Sequence, residues 1–555
     1  MLNHDTQTQA GARISSRVPG GAVVRHVVIT CVLIVLISGC TTLSPEFKQP
    51  ETNVEKEWIW ADNPNFRPVA PADDGRWWTV FNDPVLNRLI ENAYRQNLTL
   101  QTAGVRILQA RAQLGIAVGQ LYPQQQQVTA NSTYIRSSRN TANTAGPDLN
   151  FWNHDVGFTA GWEIDFWGRF ASGIESADAS LLSTIANYDD VLVSLTAQVA
   201  TTYTSIRTFE ERIVFAKKNI ELQQQGLHLS RVRYRNGATT ELDVNQAESL
   251  LLGTQASVTR LELGRRQSMN ALATLLGITA FEAQSLIDSS TDEEGVIPDA
   301  PAEVAVGIPA DLLRRRPDVR TAELQAVAQS AIIGVARADL YPSIALFGTI
   351  GLSTGGGTDT SLNGSVDLGD LLDYDALRFQ GGPSLTWNVF NYGRIKNNVR
   401  VQDAVLQQLL INYQNTVLQA GQEVEDAMVG FLQAKLETEF LRKSAAAAKR
   451  SVEISLVQYR DGATDYTTVI NTAFSLLNAQ DSLTAARGTV VQNLVSMYRA
   501  LGGGWQIREG HDFVPEETRE QMRERTDWGG LLDPQALENL PPPDKAGKEL
   551  RRPDW

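Results

Sequence analysis

YRDGAT, at residues 459–464, repeats YRNGAT, at residues 234–239, with five of the six positions identical and an offset of 225 positions between the copies. Each copy follows a long segment that is poor in Gly and Pro, and each precedes another such segment. A Gly placed just after an Asn or Asp at the end of a helical segment is a common C-terminal stop signal. Both copies are therefore predicted to be tight turns that each join two helices.

The repeat extends well beyond these turns. A further match, LYP at residues 121–123 and 340–342, is offset by 219 positions, which implies a six-residue insertion in the second half. Self-similarity of this kind indicates an internal duplication. The other pairs offset by 225 include Trp162 and Trp387, Asp178 and Asp403, Tyr188 and Tyr413, and Gly277 and Gly502.

Long helices dominate the predicted fold. Residues 170–235 and 395–460 are each 66 residues long and contain no Pro. At 1.5 Å per residue each would form a helix of about 100 Å, a length typical of coiled coils and helical barrels. The segments 240–276, 465–501 and 84–120 are each 37 residues long. Two shorter helices stacked end to end would roughly match one long helix, which predicts a helical column.

Two other segments carry the pattern of β-strands. Apolar residues recur with a two-residue period at 156–164, within residues 124–166, and again at 344–350, within residues 343–391. A loop rich in Ser, Asn, Thr and Gly precedes the first of these stretches, and a loop rich in Gly, Ser and Asp follows the second. Each segment is predicted to be a β-hairpin, which gives four strands per chain. Strands span a bilayer only as closed barrels, and known barrels begin at about eight strands. The chain is therefore expected to oligomerise, unless the hairpins only decorate a periplasmic coiled coil.

A lipoprotein signal is predicted at the start of the chain. Residues 1–39 combine basic residues with a short apolar run, and small residues stand just before Cys40. This pattern predicts that residues 1–39 are removed and that a lipid is attached to the Cys40 thiol, with residues 40–83 forming a lipidated arm. An ordinary secretory signal with an incidental Cys is the alternative. Thr41 in place of Asp favours the outer membrane over the inner one.

Composition and motifs limit the remaining functions. The net charge of −14 argues against nucleic acid as a partner. Cys31 leaves with the signal peptide and Cys40 carries the lipid, so no disulfide is expected. We find no phosphate-binding loop, nucleophile motif or His pair at metal-ligand spacing, so neither an enzyme nor a metal site is expected. Residues 505–555 are charged and rich in Pro, and are expected to be mostly disordered.

Four features together resemble one family. These features are the signal that ends at Cys40, the run IPADLLRRRPDV at 308–319, the repeated turns and ALGGGW at 500–505. In them the chain resembles the outer membrane factor (TolC-like) family, in particular its NodT-type efflux lipoproteins. The resemblance covers about residues 40–507. It implies a homotrimer with a twelve-stranded outer membrane β-barrel, four strands per chain, continuous with a periplasmic tunnel of twelve coiled-coil helices.

The resemblance also implies domain boundaries and a function. The first repeat would span residues 84–277, a linker and equatorial region 278–307, and the second repeat 308–504. The protein would be the passive exit duct of a tripartite efflux pump that exports drugs or other small toxic compounds across the outer membrane. Its partners would be outer membrane lipid, a periplasmic adaptor and a proton-driven inner-membrane pump.

Several questions stay open at this stage. Type I protein secretion, metal efflux and a lipid-anchored scaffold without a pore are alternatives. Apart from the lipid on Cys40, no cofactor is implied.

The candidate site residues follow from the resemblance. The two turns would form the periplasmic tip on which the adaptor docks, and rings of residues after the second turn would line an aperture. The family usually has Asp at the ring positions that Thr468 and Asn471 occupy here. Three interpretations of these residues are therefore kept: an acidic gate, a neutral gate, and a solvated helix face without a gating role. The docking residues are Tyr234, Arg235, Gly237, Tyr459, Arg460 and Gly462, and the aperture residues are Asp243, Asp465, Thr468 and Asn471.

Overall fold

The computed structural model describes residues 43–51, 57–68, 74–138, 140, 150–288, 296–301, 303–306, 315–357 and 368–533. The predicted signal peptide and Cys40 lie outside the described residues. The chain forms two compact units. A sheet unit includes Gln125–Arg169 and Arg337–Phe390, and a helical unit includes the described parts of Ser44–Gln124, Phe170–Ala336 and Asn391–Trp555.

The strands confirm the two predicted hairpins and add the pairing between them. The sheet unit holds one antiparallel sheet in the order β2-β3-β5-β6, so the hairpins β2–β3 and β5–β6 are joined through β3 and β5. In the helical unit, β1 pairs in parallel with β4. The strands are β1 (Phe66–Pro68), β2 (Gln125–Arg136), β3 (Asn150–Ile164), β4 (Val304–Val306), β5 (Ser343–Gly357) and β6 (Leu377–Thr386).

The register of the sheet separates apolar from polar side chains. Successive side chains of a strand point to opposite faces, so neighbouring rows of the sheet lie on opposite sides. One row crosses all four strands as Val128, Phe158, Ile350 and Phe379, and all four side chains are exposed. The adjacent row is polar throughout, and consists of Gln127, Thr159, Thr349 and Gln380.

Nine α-helices lie in the described residues, and two of them are very long. The helices α3 and α7 each contain 67 residues, close to the predicted length. The helices are α1 (Pro84–Gln96), α2 (Leu98–Gly119), α3 (Arg169–Arg235), α4 (Glu241–Leu276), α5 (Ala280–Asp288), α6 (Pro317–Ala338), α7 (Arg394–Arg460), α8 (Tyr466–Ala500) and α9 (Glu516–Arg525).

The continuous helix expected over residues 84–120 is wrong, because Asn97 breaks it into α1 and α2. The backbone of Asn97 is extended, and its Oδ1 accepts a hydrogen bond from the N–H of Leu100 at 2.8 Å. An Asn side chain that caps the next helix in this way offers the backbone an alternative to continued helix. Asn97 Nδ2 also donates to the carbonyl of Leu275 at 2.9 Å, so the end of α4 meets the start of α2.

The second half repeats this end-to-end junction with a different side chain. Nη1 of Arg316, the residue before α6, donates to the carbonyl of Ala500 at the end of α8, at 2.6 Å. Arg316 also pairs with Asp318 and Glu423. The predicted stacking of short helices end to end is therefore present in both halves.

The arm and the linker contribute to the core of the helical unit. A 3-10 helix, Asp74–Phe81, buries Trp77 and Trp78. The ring of Trp77 stacks on Tyr498 of α8, with centroids 5.3 Å apart. The predicted linker 278–307 holds α5 and the strand β4, which pairs with β1 of the arm at Phe66 and Val304.

The expected disorder of residues 505–555 is wrong for residues 505–533, while residues 534–555 lie outside the described ranges. The high charge of this segment conceals a few large apolar side chains. Val514, Met522 and Leu532 form a small core with Leu108 of α2. The charges are also paired, since Arg508 is bonded to both carboxylate oxygens of the buried Asp189.

None of the helices in the described ranges is both long and apolar enough to cross a membrane.

Candidate functional site

The first turn ends α3 in the way that its sequence predicts. Gly237 has φ +70°, a conformation that Gly adopts without a steric penalty. Its N–H donates to the carbonyl of Tyr234 at 3.0 Å, and the N–H of Ala238 donates to the carbonyl of Arg233 at 2.8 Å. These two bonds form a Schellman motif, which satisfies carbonyls left unpaired at a helix end.

The second turn reproduces the same geometry at the end of α7. Gly462 has φ +77°. Its N–H donates to the carbonyl of Tyr459 at 3.1 Å, and the N–H of Ala463 donates to Gln458 at 2.8 Å. The predicted tight turns are confirmed.

Arg233 connects the two turns. Its guanidinium carbon lies 4.6 Å from the centre of the Tyr459 ring, a cation–π geometry. Its Nη1 donates to the carbonyl of Tyr459, and its Nη2 donates to the carbonyl of Ala238 at 3.4 Å. A cation at the C-terminus of α7 also complements the helix dipole there. Arg233 thus fastens the second turn to the first.

The two equivalent tyrosines have different environments. Tyr234 is 46% exposed, whereas Tyr459 is 1% exposed. The hydroxyl of Tyr459 lies 3.4 Å from both Ser230 Oγ and Asp243 Oδ2. Tyr459 therefore holds α7 against α3 and α4, and of the two tyrosines only Tyr234 is exposed at the surface.

A second buried tyrosine completes this cluster. The ring of Tyr466 packs edge-on against Tyr459, with centroids 5.0 Å apart. Its hydroxyl lies over Gly226 of α3, where a Cβ would approach it to 2.7 Å. Burial, and then the neighbouring Tyr459, raise the pKa of Tyr466 to about 12. The cluster is a buried contact between the α3–α4 and α7–α8 hairpins.

The predicted aperture residues fall into two groups. Asp243 accepts hydrogen bonds from Thr239 and Tyr459. Asp465 is the N-cap of α8, and its Oδ1 accepts from the N–H and the hydroxyl of Thr468 at 3.0 and 2.9 Å. Asn471 is exposed one turn further along α8. Within one chain, then, Asp243 braces the second turn, while Asp465 and Thr468 cap a helix.

The predicted docking residues other than Tyr459 lie on the surface of the turns. Arg235 and Gly237 are exposed, as are Arg460 and Gly462. Arg460 pairs with Asp461 at 3.1 Å, and both side chains are more than half exposed. An exposed pair of this kind contributes little stability and is free to exchange partners.

Sequence reasoning missed Arg233 and Ser230. For Arg233 the available signal was a break in the repeat, because the equivalent residue in the second half is Gln458, whereas Ser230 is matched by Ser455 and gave no such signal.

Polar pairs continue along the seam between α3 and α8. Arg212 is bonded to both carboxylate oxygens of Asp481, at 2.7 and 2.9 Å. Asn219 Nδ2 donates to Gln480 Oε1 at 2.7 Å. These pairs fix the register of the two antiparallel helices. In the described part of the chain, no group of three or more His, Cys, Asp or Glu side chains could hold a metal ion.

Comparison with known proteins identifies the family. Residues 89–278 and 308–503 match the family described as Outer membrane efflux protein. The chain belongs to the outer membrane efflux protein family. The predicted family and the outer membrane location are confirmed.

The relatives of this outer membrane efflux protein match it over nearly their whole length. The pyoverdine export outer membrane protein OpmQ of Pseudomonas putida is 29% identical over 486 residues, which cover 87% of this chain and 98% of OpmQ. Nodulation protein T of Rhizobium leguminosarum bv. viciae is 29% identical over 478 residues, which cover 85% and 92% of the two chains. The names of these relatives describe no enzyme, in keeping with the expectation from motifs.

The fold of this outer membrane efflux protein matches a solved channel. The structure of the outer-membrane channel OprN aligns with a TM-score of 0.75 and 27% identity, and covers 84% of this chain and 100% of OprN. A fold with a four-stranded sheet and long helices is therefore shared with an outer-membrane channel.

Proposed function

We propose that this outer membrane efflux protein assembles as a homotrimer and forms the passive exit duct of a tripartite pump for drugs or other small toxic compounds. The two-faced sheet carries the proposal. Its apolar row, from Val128 to Phe379, is exposed, and the next row, from Gln127 to Gln380, is polar. An apolar face towards lipid and a polar face towards a lumen are what a membrane-spanning barrel requires.

The edges of the sheet support a trimer. Within the described residues, β2 and β6 each pair on one side only. Unpaired strand edges are not stable in hydrocarbon. Two further copies would cover both edges and close a barrel of twelve strands.

Equivalent junctions support an internal duplication. Asn97 and Arg316 are offset by 219 positions, and the carbonyls that they bond, Leu275 and Ala500, are offset by 225. These are the two offsets of the sequence repeat. In a trimer, six repeats would supply the helices of a twelve-helix tunnel.

The turns are proposed as the adaptor-docking tip and the gate. Exposed Tyr234, Arg235 and Arg460 would contact the hairpin of a periplasmic adaptor. Adaptor binding would favour a second packing of the α7–α8 hairpin, in which the contacts of Tyr459 with Arg233 and Asp243 are released and the aperture widens. Thr468 and Asn471 would line that aperture with Asp465, and an inner-membrane, proton-driven pump would supply the energy.

The substrate class and the anchor are part of the same proposal. OpmQ is named for pyoverdine export, which favours small organic compounds over proteins as the cargo. A lipid on Cys40 would anchor the N-terminal arm to the outer membrane.

The two faces of one strand test the proposal. After signal removal and lipidation the chain has no free thiol, because it contains only Cys31 and Cys40. Phe158→Cys and Thr159→Cys place single thiols on opposite faces of β3. In outer membrane vesicles, a water-soluble maleimide should label Thr159→Cys and leave Phe158→Cys unlabelled until detergent is added.

Denatured samples provide the control, since both thiols should then react fully. Equal labelling of the two variants in intact membranes would place the sheet in water. That result would overturn the duct and favour the lipid-anchored scaffold.

A further inference from the structure

One buried polar side chain in the long helices lacks the partner that burial normally demands. Gln223 of α3 is 4% exposed, and neither Nε2 nor Oε1 has a hydrogen-bond partner among the described residues. Buried amides are almost always paired, because an unpaired one forfeits its bonds to water.

The neighbours of Gln223 show which surface it faces. Residues three or four apart share one face of a helix, so Gln223 lies with Asn219 and Gly226, which are also buried. Asn219 bonds to Gln480 of α8, and Gly226 lies against the hydroxyl of Tyr466 of α8. Gln223 therefore faces the part of α8 between these two contacts.

The buried side chains of that part of α8 offer the amide no hydrogen-bonding group, and the half-buried Thr472 is already bonded to Ser455 and to carbonyls of its own helix. The buried residues there are all apolar, namely Val469, Ala473 and Leu476. The seam is thus well paired at Asn219 and at the tyrosine cluster, with a mismatched layer between them.

We propose that Gln223 is a conformational device that weakens the closed seam and so sets how readily α8 separates from α3. The unpaired amide is penalised only while the helices are in contact, because water satisfies it once they part. Its neighbours act in the opposite direction, since separation breaks the Asn219–Gln480 bond. This inference rests on the proposed duct, whose opening requires that separation.

The test replaces the amide without changing the length of the side chain. Gln223→Met keeps the side chain unbranched and of similar size but replaces the amide with an apolar thioether, which a core tolerates well. In the full-length lipidated protein in nanodiscs, amide hydrogen exchange of peptides covering α8 from Tyr466 to Gln480 should slow by about 5- to 150-fold.

Two other substitutions on the same helix act as controls. Gln224 is exposed, so Gln224→Met makes the same chemical change away from the seam and should leave exchange unchanged. Asn219→Leu leaves the side chain of Gln480 without its hydrogen-bond partner and should make amide exchange in α8 faster. Exchange in Gln223→Met that equals exchange in Gln224→Met would overturn the inference, because the amide would then be satisfied in the closed seam.

Conductance of the same preparations in planar bilayers separates this inference from the duct. A lower open fraction in Gln223→Met than in the wild type, together with slowed exchange, supports both. Slowed exchange with an unchanged open fraction would overturn the gating role of Gln223. Slowed exchange in an oligomer that never conducts would uphold the weakened seam and overturn the duct.

Discussion

Replacing Gly104 with Ala should release the C-terminal segment from α2. A Cβ at Gly104 would lie 2.1 Å from the carbonyl oxygen of Phe513 and 3.3 Å from a methyl of Val514. The backbone of the segment therefore rests directly on the helix, and only Gly permits that approach.

The magnitude follows from the required movement. The carbonyl of Phe513 would have to retreat by about 0.9 Å to reach the 3.0 Å that Cβ contacts need. Overpacking of this kind weakens the packing of the segment on α2 by about 1–3 kcal/mol. In a helix interior Ala is more favourable than Gly by about 1 kcal/mol, and this stabilises α2 itself. Val514, Met522 and Leu532 share the small core beside this contact. The loss falls on the segment and not on the long helices.

Limited trypsin digestion with mass spectrometry measures the release. Cleavage within residues 508–525 should become about 5- to 150-fold faster in Gly104→Ala, since cleavage tracks the population of the detached segment. Gly115 is the matched control, because it lies in the same helix with nothing within 4 Å of its Cβ position. Gly115→Ala should leave cleavage unchanged. Equal cleavage of the two variants would refute the close contact at Gly104.

Three further predictions concern the helical unit. Arg233→Ala removes the cation–π contact and the bonds to the second turn, and should speed hydrogen exchange at residues 459–463. Arg235→Ala, a substitution of an exposed neighbouring residue, should not. Identical exchange in the two variants would contradict the role of Arg233. The raised pKa of Tyr466, about 12 against an ordinary 10.0, means that the stability it contributes is complete below pH 10 and is lost as pH rises towards 12. The tyrosinate absorbance titration of the wild type minus that of Tyr466→Phe should therefore show a step near pH 12, and a step near pH 10 would show the ring to be solvated. A double-mutant cycle of Arg212→Ala and Asp481→Ala in denaturant melts should give a coupling energy of about 0.2–1 kcal/mol, because the Asp481 side chain is 42% exposed and solvent screens the pair. A coupling energy that does not weaken in high salt would contradict a solvent-screened pair.

The sequence predicted those elements that local chemistry determines. The Gly of each YR(N/D)GAT turn adopts positive φ, and both turns join long helices as expected. The alternation of β3 and β5 predicted two hairpins, and both are present. These features depend on neighbouring residues, so a single sequence is sufficient to find them.

Features that depend on distant partners could not be predicted in this way. Tyr234 and Tyr459 occupy equivalent positions of the repeat, yet only Tyr459 is buried, because Arg233 and Asp243 approach it from the other hairpin. The order of residues 505–533 depends on a fit to Gly104 and Leu108, some 400 positions earlier in the chain. The sequence around Asn97 was interpreted as continuous helix, because the capping role of Asn97 is visible only once its extended backbone is known.

Single-channel conductance of the purified, lipidated protein in planar bilayers tests the central claim most directly. The wild type should show low, flickering conductance, and Tyr459→Phe should raise the open fraction, because it deletes the hydroxyl that contacts Ser230 and Asp243. The double variant Thr468→Gly and Asn471→Gly should raise the conductance itself if these residues line the constriction. An intact oligomer that gives no conductance in the wild type or in any of these variants would contradict the exit duct.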